Sequence, residues 1–187
     1  VLRWKETQKT NSGYCSCERS NPSVIRNPHW GKKEGFDTLK TPTCILFDEY
    51  GAFLDFGYDA LMAYKRMGPN NKRFFNNFKM NMMIFNSGGK LMEAMKVFSE
   101  SLRYLKEHAL DMSSAHTDKR TFNASDVAWV LTVPAIWDPA AKQLMREAAI
   151  QVNLPNLEIT VLKKKYCSSM VHQLLTISTQ LERHFHF

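Results

Sequence analysis

Hydrophobic and polar positions change their period along this chain, and the changes mark its elements. Val127 to Val133 is an apolar, branched run with Trp129 inside it, which predicts a buried strand. Pro134 ends that strand, because it offers no N–H to a ladder. Asp138 then stands at a helix N-cap, with Pro139 at the first helical position. Ala140, Leu144, Ala148 and Val152 follow at four-residue spacing, beside Ala141, Met145 and Ala149. The stretch predicts a strand, a tight turn and a helix packed back on the strand through small residues. On periodicity alone it is one α/β unit of any sheet protein.

The longest helical period runs from Lys90 to Met112, after Gly88 and Gly89. Its apolar face is Leu91, Met95, Phe98, Leu102, Leu105 and Ala109. Upstream, Thr43 to Phe47, a turn at Asp48 to Gly51, and Ala52 to Phe56 predict a β-hairpin. Gly57 opens a short amphipathic helix through Tyr58, Ala60, Leu61 and Tyr64, and Gly68, Pro69, Asn70 and Asn71 break it. Asn71 to Phe85, rich in Phe, Met and Asn, fits neither period. Val1 to Leu39 is polar and irregular and reads as a loop or lead-in, and Ser113 to Ser125 as a polar linker. Near the end, Met170, Leu174, Ile177 and Leu181 predict an amphipathic helix. The expected organisation is a lead-in at 1–39, an α/β region at 40–154 and a tail at 155–187. No internal repeat is visible.

Composition narrows the classes. The chain has 187 residues, 44% hydrophobic and 23% charged, with 12 Phe and 10 Met, which suits a soluble chain with a large apolar interior. The formal net charge is +7. The one tight cluster, Lys163 to Lys165, is a solvated patch, and no basic stripe with interleaved aromatics points to nucleic acid. Cys15 and Cys17 form a C-x-C pair that His29 could join, but no second pair completes a zinc site. Thiols in a reducing compartment account for them. Val1 to Thr10 lacks the apolar core of a signal peptide, and no run reaches the length of a membrane span. A cytoplasmic location is expected. The sequence has no initiator Met, which suggests a missing start.

The wording of two segments adds a relationship. Thr132-Val133-Pro134-Ala135 lies within NASDVAWVLTVPAIWDPAAKQLMREAA, which resembles the heat shock 70 kDa family, and most of all its divergent 12A/12B branch. Lys40-Thr41-Pro42-Thr43, followed by a hairpin and Phe56-Gly57-Tyr58, is similar to that branch as well. The resemblance covers residues 40 to about 154. It implies an α/β fold: an incomplete actin-like (ribonuclease H-like) ATPase lobe, a mixed sheet fragment with helices. It also implies a cytosolic, stress-response chaperone that binds ATP with Mg and controls client proteins.

The resemblance gives particular residues a role. Lys79 falls where the family places its phosphate-side lysine, so it is the catalytic and cofactor-binding candidate. A point charge there would offset negative charge developing on the γ-phosphate. From the residues alone, Lys79 is one more solvated helix lysine. Thr41, in the KTPT segment, is the second cofactor-binding candidate. Pro134 and Lys142 fall on a proline and a basic residue that the family uses to relay nucleotide state between domains. Pro134 is also explained as a strand stop, and Lys142 as a solvated helix lysine. Lys142 replaces the arginine of the main branch, exchanging a bidentate fork for a point charge.

Other family parts have no counterpart here. The first phosphate loop, an aspartate followed by a Gly-Thr-rich turn, is not found in 1–39, where Ser12-Gly13 lacks both strand and aspartate. The second phosphate loop, the adenosine pocket and the second lobe would follow Val152. Glu158 lies near the family's catalytic carboxylate but has no Pro after it, so it takes no role. This departure fits an alternative exon, a retained intron or a gene-model artefact. His184 and His186 read as a frayed terminal pair. The chain alone is expected to show little or no ATPase activity. The alternative is a non-enzymatic interaction module or truncated isoform that binds a client or a full-length relative through exposed lobe surface.

Overall fold

A computed structural model of the chain describes residues 2–4, 11–18, 20–67, 73–76, 78, 88–115, 121–135, 137–155 and 157–162. They form an α/β arrangement of nine strands and three helices. The strands are β1 (Leu2–Trp4), β2 (Asn11–Ser12), β3 (Tyr14–Ser16), β4 (Thr41–Pro42), β5 (Cys44–Phe47), β6 (Phe53–Phe56), β7 (Arg73–Asn76), β8 (Trp129–Pro134) and β9 (Leu157–Leu162). The helices are α1 (Gly57–Met67), α2 (Gly88–Ala115) and α3 (Pro139–Gln151).

The main sheet has the order β3-β1-β8-β9. It is mixed: β1 and β9 both run parallel to β8, while β3 runs antiparallel to β1. β8, α3 and β9 make one βαβ unit, since parallel neighbours need a crossover and a helix supplies it. β8 has neighbours on both sides, and its first five residues are buried. Trp129, Leu131 and Val133 join the main core, and Val130 and Thr132 on the opposite face are buried too. A parallel strand covered on both faces reads as a continuous apolar run, which is why the sequence shows no alternation here.

The α3 N-terminus forms as its residues dictate. Asp138 Oδ1 accepts from the Ala141 N–H at 2.7 Å, and Pro139 fills the first turn. Ala141, Leu144, Met145, Ala148 and Ala149 form the buried face. Ala140, expected on that face, is exposed, one step of the helix away from the sheet. Against this face lies α2, whose Phe98, Leu102, Leu105 and Ala109 are buried as their spacing predicts. Two polar ties fix the pair: Ser99 Oγ donates to Gln151 Oε1 at 2.8 Å, and Lys106 Nζ donates to the Val152 carbonyl at 2.8 Å. The second places a cation at the C-terminus of α3, where the helix dipole favours it.

A three-stranded antiparallel sheet, order β6-β5-β7, stands beside this core. The alternation of β5 divides its side chains. Ile45 and Phe47 enter the main core with Phe98 of α2, while Cys44 and Leu46 pack on Ala60 and Ala63 of α1. Each large side chain so buried contributes about 1.5–3 kcal/mol.

Two regions depart from the sequence reading. The segment expected to be an irregular lead-in carries β1, β2 and β3. They are two or three residues long, too short for any period to show, and they exist through pairing: β1 with β8 and β3, and β2 with β4. Past Leu154, β9 pairs with β8 over six residues, from Trp129 opposite Leu157 to Pro134 opposite Leu162. Its branched Ile159, Thr160 and Val161 suit a strand. The tail helix expected at 170–181, and His184 and His186, lie outside the described residues.

Candidate functional site

β1, β8 and β9 run parallel, so their carboxyl ends share one edge of the sheet. Pro134 is the last residue of β8 on that edge. Its carbonyl accepts from the Trp137 N–H at 3.3 Å, closing the turn that leads into α3. Lys142 sits in the first turn of α3, half-buried, with its backbone N–H donating to the Asp138 carbonyl at 3.2 Å. The two relay candidates therefore share one strand–turn–helix unit.

Thr41 stands elsewhere, in the small β2–β4 pair, where it faces Ser12 in register. It is 1% exposed, and its hydroxyl accepts from the Tyr58 N–H at 3.1 Å, capping the start of α1. Gly57 makes this approach possible. It has φ +66, and a Cβ there would lie 2.0 Å from Thr41 Oγ1. Next to it, Ser12 Oγ and Thr43 Oγ1 share a buried hydrogen bond of 2.9 Å. The KTPT segment thus turns its hydroxyls inward to fasten the hairpin–helix junction. This engagement leaves no mark in the sequence, because the partner of Thr41 is a backbone N–H and a missing side chain.

Lys79 lies outside the described residues. Its neighbour Phe78 is buried, edge-on to Phe98 of α2 at 5.3 Å.

A second cluster went unnoticed in the sequence. Tyr14, Trp30, Tyr104 and His108 meet where β3, the 28–38 loop and α2 converge. Trp30 stacks on His108 at 4.4 Å, and Tyr14 lies edge-on to Trp30 at 5.9 Å. The buried Trp30 indole N–H has no hydrogen-bond partner among the described residues. Burial pushes the Tyr104 phenol up to about 12 and the Tyr14 phenol higher still, so both stay protonated. Only the four-residue spacing of Tyr104 and His108 on one helix face could have pointed here.

A group such as MgATP needs donors and cations free to meet its phosphates, and ligands for its metal. Thr41 does not fit a direct contact, since its hydroxyl is engaged and enclosed. Among the described residues, no group of three or more His, Cys, Asp or Glu is placed to hold a metal. A cavity of about 30 Å³, lined by Tyr14, Leu102, Leu105, Ala109, Trp129 and Leu157, has room for roughly one water, against several hundred Å³ for a nucleotide-sized ligand. The described residues supply the carboxyl edge of β1, β8 and β9, and no metal-ligand cluster stands among them. Among the described residues, no helix is long and apolar enough to cross a membrane.

The mixed sheet with its packed helices is of the α/β class that the sequence resemblance implies. The chain is a homologue of the 12A/12B branch of the heat shock 70 kDa proteins. It is 37% identical to human heat shock 70 kDa protein 12B over 198 residues, covering 90% of this chain. It is 34% identical to human heat shock 70 kDa protein 12A over 196 residues, covering 91%. The similarity therefore reaches beyond 40–154, into segments that the sequence reading left out. The chain spans 28% of the length of 12B and 29% of 12A. No family model matches it. A crystal structure of MreB5 of Spiroplasma citri bound to ADP superposes with a TM-score of 0.49 and 7% identity, over 86% of this chain and 37% of that one.

Proposed function

We propose that this chain is part of the ATP-binding domain of a heat shock 70 kDa protein of the 12A/12B kind, and that it supplies one flank of the nucleotide site. The observation that carries this reading is the shared carboxyl edge of β1, β8 and β9, with the turn at Pro134 and the start of α3 upon it. In open α/β sheets ligands bind outside that edge. In this reading Lys79 brings a cation to the phosphate side, and MgATP, when bound, supplies the phosphoryl group and the metal that neutralises it. Thr41 acts from behind, by holding the first turn of α1. Pro134 and Lys142 pass the state of the edge along α3 towards a client-binding part. Lys142 does so as a point charge, which is weaker in geometry than an arginine fork.

The chain by itself does not hold MgATP, because a flank alone leaves the phosphates without most of their positioning contacts. Calorimetric titration of the purified chain with MgATP tests this. Absence of heat at high protein concentration is the expected result. Saturable binding that disappears in Lys79→Ala would mean the chain builds a full site through that lysine. Saturable binding unchanged in Lys79→Ala would remove the role given to Lys79.

A further inference from the structure

Of the five described tyrosines, four are held in ring contacts. Tyr14 meets Trp30, Tyr58 stacks on Phe36 at 4.9 Å, Tyr64 on Phe74 at 4.3 Å, and Tyr104 lies against Phe56 at 5.2 Å. Tyr50 differs. It is 87% exposed, far above any other large apolar side chain described, and it sits at the tip of the β5–β6 hairpin.

The turn is built to display it. Asp48 Oδ1 accepts from the Tyr50 N–H at 2.9 Å and from the Ala52 N–H at 2.7 Å. The Asp48 N–H donates to the Ala52 carbonyl at 2.9 Å, and Gly51 follows with φ +84. On either side of the turn, Phe47 and Phe53 pack edge-on at 6.4 Å and anchor the strands. An aromatic ring left in water forgoes the burial that the other described tyrosines gain.

The charges around it are ordered as well. Asp48 is spent inside the turn, while Glu49 is exposed directly before the tyrosine. Lys96 of α2 comes up beside the tip: a Cβ on Gly51 would lie 3.1 Å from its Nζ, which stands 5.9 Å over the Phe47 ring.

We propose that Tyr50 is an acceptor site for a protein tyrosine kinase whose substrate groove is basic. The phenol oxygen attacks the γ-phosphorus of ATP held by that kinase. The new O–P bond forms as the β–γ bridging bond breaks, ADP leaves, and the phenolic proton passes to the kinase's base. Glu49 faces the basic groove. The product carries nearly two negative charges beside Glu49, and the Lys96 ammonium offsets part of that repulsion.

The test incubates the full chain with MgATP labelled at the γ-phosphate and a recombinant tyrosine kinase that favours an acidic residue before its target. The label is then mapped by mass spectrometry. Tyr50 should carry nearly all of it. Tyr50→Phe should lose that label while melting at the wild-type temperature, and Glu49→Lys should be labelled several-fold more slowly. Absence of labelling, label spread equally over Tyr58, Tyr64 and Tyr104, or an undiminished yield in Tyr50→Phe overturns the assignment.

Discussion

The Tyr14 hydroxyl lies 2.7 Å from Nδ1 of His108 and 3.3 Å from its carbonyl oxygen, across 94 residues of sequence. Trp30 and Tyr104 both stack on the same imidazole, at 4.4 and 6.1 Å. One histidine on α2 thereby fastens the N-terminal strands and the 28–38 loop to the rest of the core.

That histidine should make stability sensitive to acid. Burial holds the His108 imidazole below its usual range, against the opposing pull of the Asp111 and Asp59 carboxylates. The unfolded chain takes up this proton near pH 6.5, and the folded chain only at lower pH. The stability that neutral His108 contributes is therefore complete above about pH 6.5 and is lost as pH falls from there towards the lowered folded value. Urea midpoints of wild type and His108→Gln should converge between pH 7 and pH 5. A constant gap over that range would show that His108 does not titrate in this way.

Thr41 and Gly57 should be sensitive in opposite senses of size. Thr41→Val keeps the shape but leaves the Tyr58 N–H without an acceptor, which should cost about 1–2 kcal/mol. Gly57→Ala adds a methyl 2.0 Å from Thr41 Oγ1 at a positive φ, and should cost about 2–4 kcal/mol. Thr41→Ser should stay close to wild type. Denaturant melts decide it, and a Thr41→Val variant as stable as wild type would mean the cap carries no weight.

The contact of α3 with the core leaves no room at Ala148, which is fully buried. Ala148→Leu should cost about 1–3 kcal/mol through overpacking, whereas Ala140→Leu, on the exposed side, should be nearly neutral. Asp138→Ala should lose about 1 kcal/mol with the N-cap. Equal effects of leucine at 140 and 148 would place the helix in a different rotation.

Cys44 should report on opening. Its thiol donates to the Gly57 carbonyl at 3.1 Å, and burial pushes it up to about 12. Only the thiolate alkylates. Iodoacetamide at pH 8 should leave Cys44 unmodified in the native chain and label it in urea in step with the unfolding transition. Labelling of Cys44 at native conditions, mapped by mass spectrometry, would mean that α1 lifts off β5 without global unfolding.

What could be read from the sequence was local. Asp138, Pro139 and the small-residue rows of α3 announce their helix, and so do Phe98, Leu102 and Leu105 in α2. The hairpin follows from apolar runs flanking Asp48 and Gly51. β1 could not be read in this way, since three residues show no period and its partner β8 lies far along the chain, whereas β9 is placed by the α3 crossover that returns it beside β8. In the site, Pro134 and Lys142 were legible as a strand stop and a first-turn residue. The engagement of Thr41 was not, because it depends on a glycine sixteen residues away meeting it in space. His108 stands between Leu105 and Ala109 and looks like any helix position until Tyr14 and Trp30 arrive.

The position of β1 has a kinetic side. It is inserted between β3 and β8, with Leu2 opposite Trp129, so six strands and two helices separate the partners in the chain. The hairpin with α1 and the β8–α3–β9 unit can each form from close neighbours, but the main sheet cannot close until both ends of this stretch exist and find each other. Pairing over so long a loop is slow, and the rate at which this fold is reached should be set by that last parallel pairing rather than by any helix. Until then one flank of β8 remains an open edge, and the growing chain has the most to gain from a chaperone of its own.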